Sequence, residues 1–98
     1  MANSLKSAQF LLDSRIADAA SGDVQALFEL GVIFSTGGDG MDVDMVAAHK
    51  WFNLAAAQGH EEAAYCRAEI SDEMSAREIS IAQKDARAWL QANARRAA

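Results

Sequence analysis

Sliding the 98-residue chain against itself by 37 residues aligns Ala19 with Ala56, Ala20 with Ala57, Gly22 with Gly59, Ala26 with Ala63, Phe28 with Tyr65 and Ile33 with Ile70. These six agreements of type in one register define an internal period. A period of this size is the sequence mark of stacked helical hairpins, because one hairpin cannot bury its apolar face alone and must lean on a neighbour of the same shape. Such a chain offers a surface rather than a reaction.

The absence of proline and the shortage of β-branched runs favour helix throughout, with breaks at Ser21-Gly22-Asp23, Gly37-Gly38-Asp39-Gly40 and Gly59-His60. The spacing predicts a first helix over Leu5 to Ala20, with Leu5, Ala8, Leu12, Ile16 and Ala19 on one stripe, in the slot of a repeat's second helix. A second helix runs from Val24 to Thr36 behind Asp23 as amino cap and places Leu27, Leu30, Gly31 and Phe34 along one side. Gly31 costs about 1 kcal/mol relative to alanine in mid-helix, so the next helix is expected to cross there with no side chain between the backbones. Gly37 is expected to end the helix in a left-handed conformation.

A third helix follows Asp44 to about Gln58 and carries Ala48, Trp51, Phe52, Ala55 and Ala56, with Trp51 its main anchor. The fourth, Glu61 to Met74, opens with two acids at the positive end of its dipole and is expected to carry Ala63, Tyr65 and Ile70 in the first-helix slot of a following repeat. Ser75 and Glu78 then form a capping box, and Met74 with Ile79 a hydrophobic staple. They launch a fifth helix to about Ala94, with Ile79, Ala82, Ala86 and Trp89 on one face, read as a terminal capping helix.

The pattern Ala26, Leu30-Gly31, Phe34, Gly37, Asp44, Ala48, Trp51-Phe52, Ala55-Ala56, Gly59 and Ala63 resembles the Sel-one-like repeat, a relative of the tetratricopeptide repeat, over about 38 residues. The resemblance implies an all-α chain, a short right-handed α/α superhelix of about five helices forming a single domain over residues 1–98. One full repeat covers about residues 26–63, with flanking half-repeats and a capping helix over about 75–94. It further implies an adaptor or scaffold for other proteins, with no catalytic residues shared by the family. Two departures stand out: one complete repeat is present, and Cys66 has no partner for the paired cysteines found in some secreted members.

The net charge of −5 is uneven, for residues 1–49 hold Lys6 and Arg15 against seven acids while residues 50–98 hold seven bases and seven acids. An acidic amino-terminal half argues against nucleic acid, whose phosphates need a basic stripe that the Arg95-Arg96 pair does not supply. Neither a signal-peptide pattern nor an apolar run of membrane-spanning length is present, and one cysteine cannot form an internal disulfide, so a cytoplasmic chain without a membrane partner is expected.

Chemical motifs are weak. From Asp39 to Asp44 the loop offers oxygen ligands for a hard cation, but its third and fifth positions are Met41 and Val43 and its twelfth is Lys50. His49, His60 and Cys66 match no zinc spacing; His49 is expected to face solvent, His60 to be a turn residue and Cys66 a small apolar filler. No nucleotide loop, dinucleotide fingerprint or nucleophile elbow occurs, so neither a cofactor nor an enzyme is expected. An active site would have to be assembled from Asp42, Asp44, His49 and His60, which the spacing does not support.

The expected role is therefore a non-enzymatic adaptor that binds a basic or amphipathic protein segment on the concave side. The resemblance places Gln25, Glu29, Val32 and Ser35 of the second helix there, with Arg67 and Glu69 of the fourth. A rival expectation is a homodimer: one complete repeat falls below the usual minimum of about three, so self-association through an open helix face would complete the core.

Overall fold

Each interhelix junction carries its own cap, and the caps fix where the helices begin. The computed structural model describes the backbone of residues 2–97 and the side chains of residues 7–94 other than that of Asp39; the expected role of Leu5 on the first stripe, like Arg95-Arg96, lies outside those side chains. The described chain is all-α: α1 (Ala2–Ala20), α2 (Val24–Thr36), α3 (Met45–Ala57), α4 (Glu61–Ser71) and α5 (Ala76–Ala97), with one 3-10 turn at Gly38–Gly40.

Asp23 accepts from the Ala26 N–H at 3.2 Å and Asp44 from the Ala47 N–H at 3.0 Å, so both aspartates act as amino caps. Gly37 closes α2 at φ 70°, its N–H reaching the Ile33 carbonyl at 2.9 Å. A Cβ at that position would also lie 2.9 Å from the Met41 carbonyl oxygen, so sterics and backbone conformation both select glycine. The capping box is reciprocal: the Glu78 N–H donates to Ser75 Oγ at 3.1 Å, and the Ser75 N–H donates to Glu78 Oε1 at 2.8 Å. The Ser75 N–H first, and its hydroxyl second, hold the Glu78 carboxyl below its usual range.

The fourth helix stops at Ser71 rather than Met74. The amides of Asp72, Glu73 and Met74 donate to carbonyls three residues back, a tightened turn that leads the chain into α5.

The 37-residue period recurs in the backbone bonds of two turns. Between α1 and α2, Gly22 donates to Ala19 at 3.1 Å and Asp23 to Asp18 at 3.1 Å; between α3 and α4, Gly59 donates to Ala56 at 2.9 Å and His60 to Ala55 at 3.1 Å. Gly22 and Gly59 adopt φ 105° and 93°. His60 even takes the place of Asp23, its Nδ1 accepting from the Ala63 N–H at 3.1 Å. The same turn is thus built twice, with different cap residues.

α3 is central: α2, α4 and α5 pack on it, and α1 packs on α2. The core joins Leu12 and Ala19 of α1, Leu27 and Leu30 of α2, Trp51, Phe52 and Leu54 of α3, Ala63 and Ile70 of α4, and Ala86 of α5. Overall extents of 38 × 37 × 22 Å make the molecule two helices thick, since a helix with its side chains is about 10–12 Å across.

One packing expectation changes, and one of the three residues placed in the first-helix slot of α4 faces water. The surface over Gly31 is the Phe52 ring rather than a bare backbone: a Cβ on Gly31 would lie 2.4 Å from Phe52 Cδ1. Tyr65 is 66% exposed, not in the core. At 3.6 residues per turn it sits about 200° around α4 from Ala63, while Ala63 and Ile70 face inward.

The Gly31–Phe52 contact gives a direct test. Gly31→Ala recovers about 1 kcal/mol of helix propensity, but the ring it would strike is 1% exposed and overpacking costs about 1–3 kcal/mol. A net loss of about 1 kcal/mol is expected in chemical denaturation; a variant as stable as the parent would mean that the ring yields.

Candidate interaction surface

Gln25, Glu29 and Val32 recur at four- and three-residue spacing, which gathers them on the side of α2 away from its buried residues Ala26, Leu27, Leu30 and Gly31. Ser35 stands beside them, its hydroxyl donating to the Val32 carbonyl at 3.2 Å. Val32 is part of a groove of about 330 Å³ between α1 and α2, lined by Leu11, Arg15, Phe28, Glu29, Val32 and Ile33.

The acidic character expected of this face is largely cancelled at Glu29. Arg15 Nε donates to Glu29 Oε2 at 2.9 Å, and both side chains are more than a third exposed. Such a pair contributes at most about 1 kcal/mol to stability, which leaves it free to exchange partners at little cost.

At the other end of the face, His60 is more than a turn residue. With Nδ1 accepting from the Ala63 N–H, Nε2 carries the proton and donates to Gln25 Oε1 at 3.2 Å. Its ring stacks on Phe28 at 4.4 Å between centroids. Gln25 is thereby tied to the start of α4, and Phe28 is held between His60 and the Phe52 ring, 5.8 Å away.

Among the described residues, no hydrogen bond or ion pair ties Arg67 or Glu69 to Gln25, Glu29, Val32 or Ser35. Arg67 is half-buried and donates to Asn53 Oδ1 on α3 at 2.7 Å, whereas Glu69 is exposed. Arg67 thus braces α4 against α3 instead of standing free for a partner.

The titratable side chains weighed for chemistry are separately occupied. Asp44 caps α3, Asp42 is exposed, and both ring nitrogens of His60 are engaged. His49, expected in solvent, is 3% exposed because the central helix is packed on several sides; its Nδ1 has no hydrogen-bond partner. Burial, and secondarily the Arg67 charge, lowers its pKa. Lys50, its neighbour in sequence, instead extends over the Trp51 and Trp89 rings at 4.3 and 5.5 Å.

Cys66 is half-buried, and burial, then Glu62 and Glu69, pushes its thiol pKa up, the opposite of what a nucleophilic thiolate needs. Among the described residues, no group of three or more His, Cys, Asp or Glu side chains is placed to hold a metal ion, and no helix is long and apolar enough to cross a membrane.

Leu11, Arg15, Phe28 and Ile33 were not among the residues expected at the surface site. The signal for Leu11 was available: together with Phe10 it is a large apolar residue lying off the inward stripe of α1. Comparison of the chain with protein-family models, with curated proteins and with solved structures finds no match.

Proposed function

We propose that this chain is a non-enzymatic protein-interaction module, a short right-handed α/α superhelix of the Sel-one-like kind that binds a protein segment across the outward side of α2. The groove between α1 and α2 carries the proposal, since it combines apolar walls with an exchangeable ion pair. The duplicated turn supports the repeat: α1 ends one unit, α2 and α3 form the next, α4 opens a third, and α5 closes the stack.

The preferred partner is an amphipathic segment whose apolar side chains meet Leu11, Phe28, Val32 and Ile33. A basic group on its rim would replace Arg15 beside Glu29. Apolar contact therefore supplies most of the affinity, and electrostatics mainly selects the partner. A reducing cytoplasm suits a chain with a single, half-buried cysteine.

The test is affinity capture from the native cell with the parent chain and with Val32→Glu, after circular dichroism has shown both folded. A partner on this face should be recovered about tenfold less by the variant, the equivalent of about 1.4 kcal/mol. Equal recovery of every captured protein would rule out the face.

A further inference from the structure

We propose that the groove between α1 and α2 takes α1 from a second copy of this chain, forming a reversible two-fold dimer in which Phe10 and Leu11 of each copy pack against the α1–α2 surface of the other. Inwardly α1 buries Ala8, Leu12 and Ala19, yet Phe10 is 73% and Leu11 43% exposed. Single exposed apolar residues are ordinary, but these two are adjacent, and Leu11 runs into the groove beside Val32, itself 37% exposed.

Ser7 and Ser14, each a helical turn from Phe10 or Leu11, are small residues on the same side of α1. Leu11 thus belongs to both an apolar ridge and the groove wall, while Phe10 extends the ridge about 100° further round α1. A two-fold axis can bring each ridge to the other groove, as an isologous interface requires.

The internal period explains why a helix fits. Thirty-seven residues on from Leu11 and Arg15 stand Ala48 and Phe52 of α3, and 37 on from Glu29 and Ile33 stand Cys66 and Ile70 of α4. A helix, α2, packs against both α3 and α4, with Gly31 under the Phe52 ring. The α1–α2 groove is the corresponding position one period earlier. Among the described residues, the other large exposed apolar side chains do not form a rival ridge: Val43 is in a loop, Tyr65 is isolated on α4, and Ile81 and Leu90 lie nine residues apart on α5.

Charge permits this pairing and sets its salt dependence. Arg15 and Glu29 neutralise each other at the groove. Antiparallel α1 helices crossing at Phe10–Leu11 would set Ser14 near Ser7 and Asp13 near Ala8, so no two carboxylates meet. The net charge of −5 still repels a second copy at longer range, and salt screens that repulsion. Self-association should therefore tighten with salt, whereas capture of a basic partner would weaken.

Area sets the strength. A phenylalanine side chain offers about 150–250 Å², so Phe10 leaves on the order of 110–180 Å² to be covered in each copy. With Leu11 and Val32 added, two copies still cover well under the total of about 1,200 Å² at which specific interfaces begin, so the pairing is weak and reversible. Monomer and dimer should accordingly exchange between micromolar and millimolar concentration. A chain that pairs with itself need bind no other protein, so this inference stands or falls separately from the capture experiment.

Analytical ultracentrifugation of the full chain over that concentration range is the test. The expected result is a mass rising from one to two copies, with the transition moving to lower concentration as salt is added. Phe10→Asp should move it upward about tenfold or more without changing helicity or the unfolding midpoint of the dilute monomer. Leu11→Asp should do the same, while Leu90→Asp leaves the transition in place. A monomer at millimolar concentration would overturn the proposal, as would a dimer indifferent to both α1 substitutions.

Discussion

Trp51→Ala is expected to lower the stability of this domain by about 3–5 kcal/mol, the usual cost of removing a large core aromatic. The indole is 4% exposed and meets the Trp89 ring edge-on, 4.8 Å between centroids and 77° between planes. That contact, with Trp89 half-buried, is the large-ring junction between α3 and α5; among the described residues the fully buried ones that α5 contributes are Ala82 and Ala86, which have little surface to lose. Removing the indole therefore opens a cavity and also strips Trp89 of an edge-to-face partner, itself worth about 0.5–1.5 kcal/mol.

A domain of this length has only about 5–15 kcal/mol of stability in all. The variant should thus unfold at much lower urea or temperature, with α5 released from α3. Trp51→Phe should restore part of the loss, since it keeps a ring at the junction. An unchanged circular-dichroism midpoint for Trp51→Ala would defeat this account of how the fifth helix is held.

Helix limits were legible in the sequence wherever a local device fixes them. Asp23, Gly37, Asp44 and the Ser75–Glu78 pair each act within a few residues of themselves, and each acts in the structure as its residue type dictates. The α4 end was not legible because no such device stands there: Asp72 to Met74 continue a helical pattern in composition, and the tightening of the chain into α5 is a tertiary matter. The 3-10 turn at Gly38–Gly40 escaped for a similar reason, since glycines on both sides of an aspartate specify no single backbone path.

The candidate surface was legible in part. Spacing placed Gln25, Glu29 and Val32 on one side of α2, but it could not show that Arg15, fourteen residues earlier, pairs with Glu29, or that Arg67 is spent on Asn53. Both are contacts between helices, and their partners depend on how neighbouring helices are rotated. Tyr65 misled because it matches Phe28 in type at the 37-residue offset. Phe28 is itself only half-buried and is covered by His60 and Phe52, and Tyr65 ends exposed on α4.

His49 misled because it stands beside Lys50 in a chain whose polar residues mostly face water, and its burial gives the fold an acid sensitivity. The ring has lost nearly all contact with solvent, Nδ1 lacks a hydrogen-bond partner, and the Arg67 cation opposes a second positive charge. Each disfavours the imidazolium, so the folded pKa lies below the value of about 6.5 that histidine has in an unfolded chain. As pH falls through about 6.5, the unfolded chain takes up a proton that the folded one refuses. Stability from this residue is therefore complete above that pH and declines below it, by at most about 1.4 kcal/mol per pH unit, until the folded pKa is reached. The cap at Glu78 weakens in a lower window, because its depressed carboxyl pKa places its loss below the usual carboxylate range. Urea midpoints measured between about pH 7 and pH 5 should consequently decline for the parent and decline less steeply for His49→Leu, which fills the site with no unpaired ring nitrogen. Equal slopes for the two chains would show that His49 takes up its proton as readily in the fold as in water.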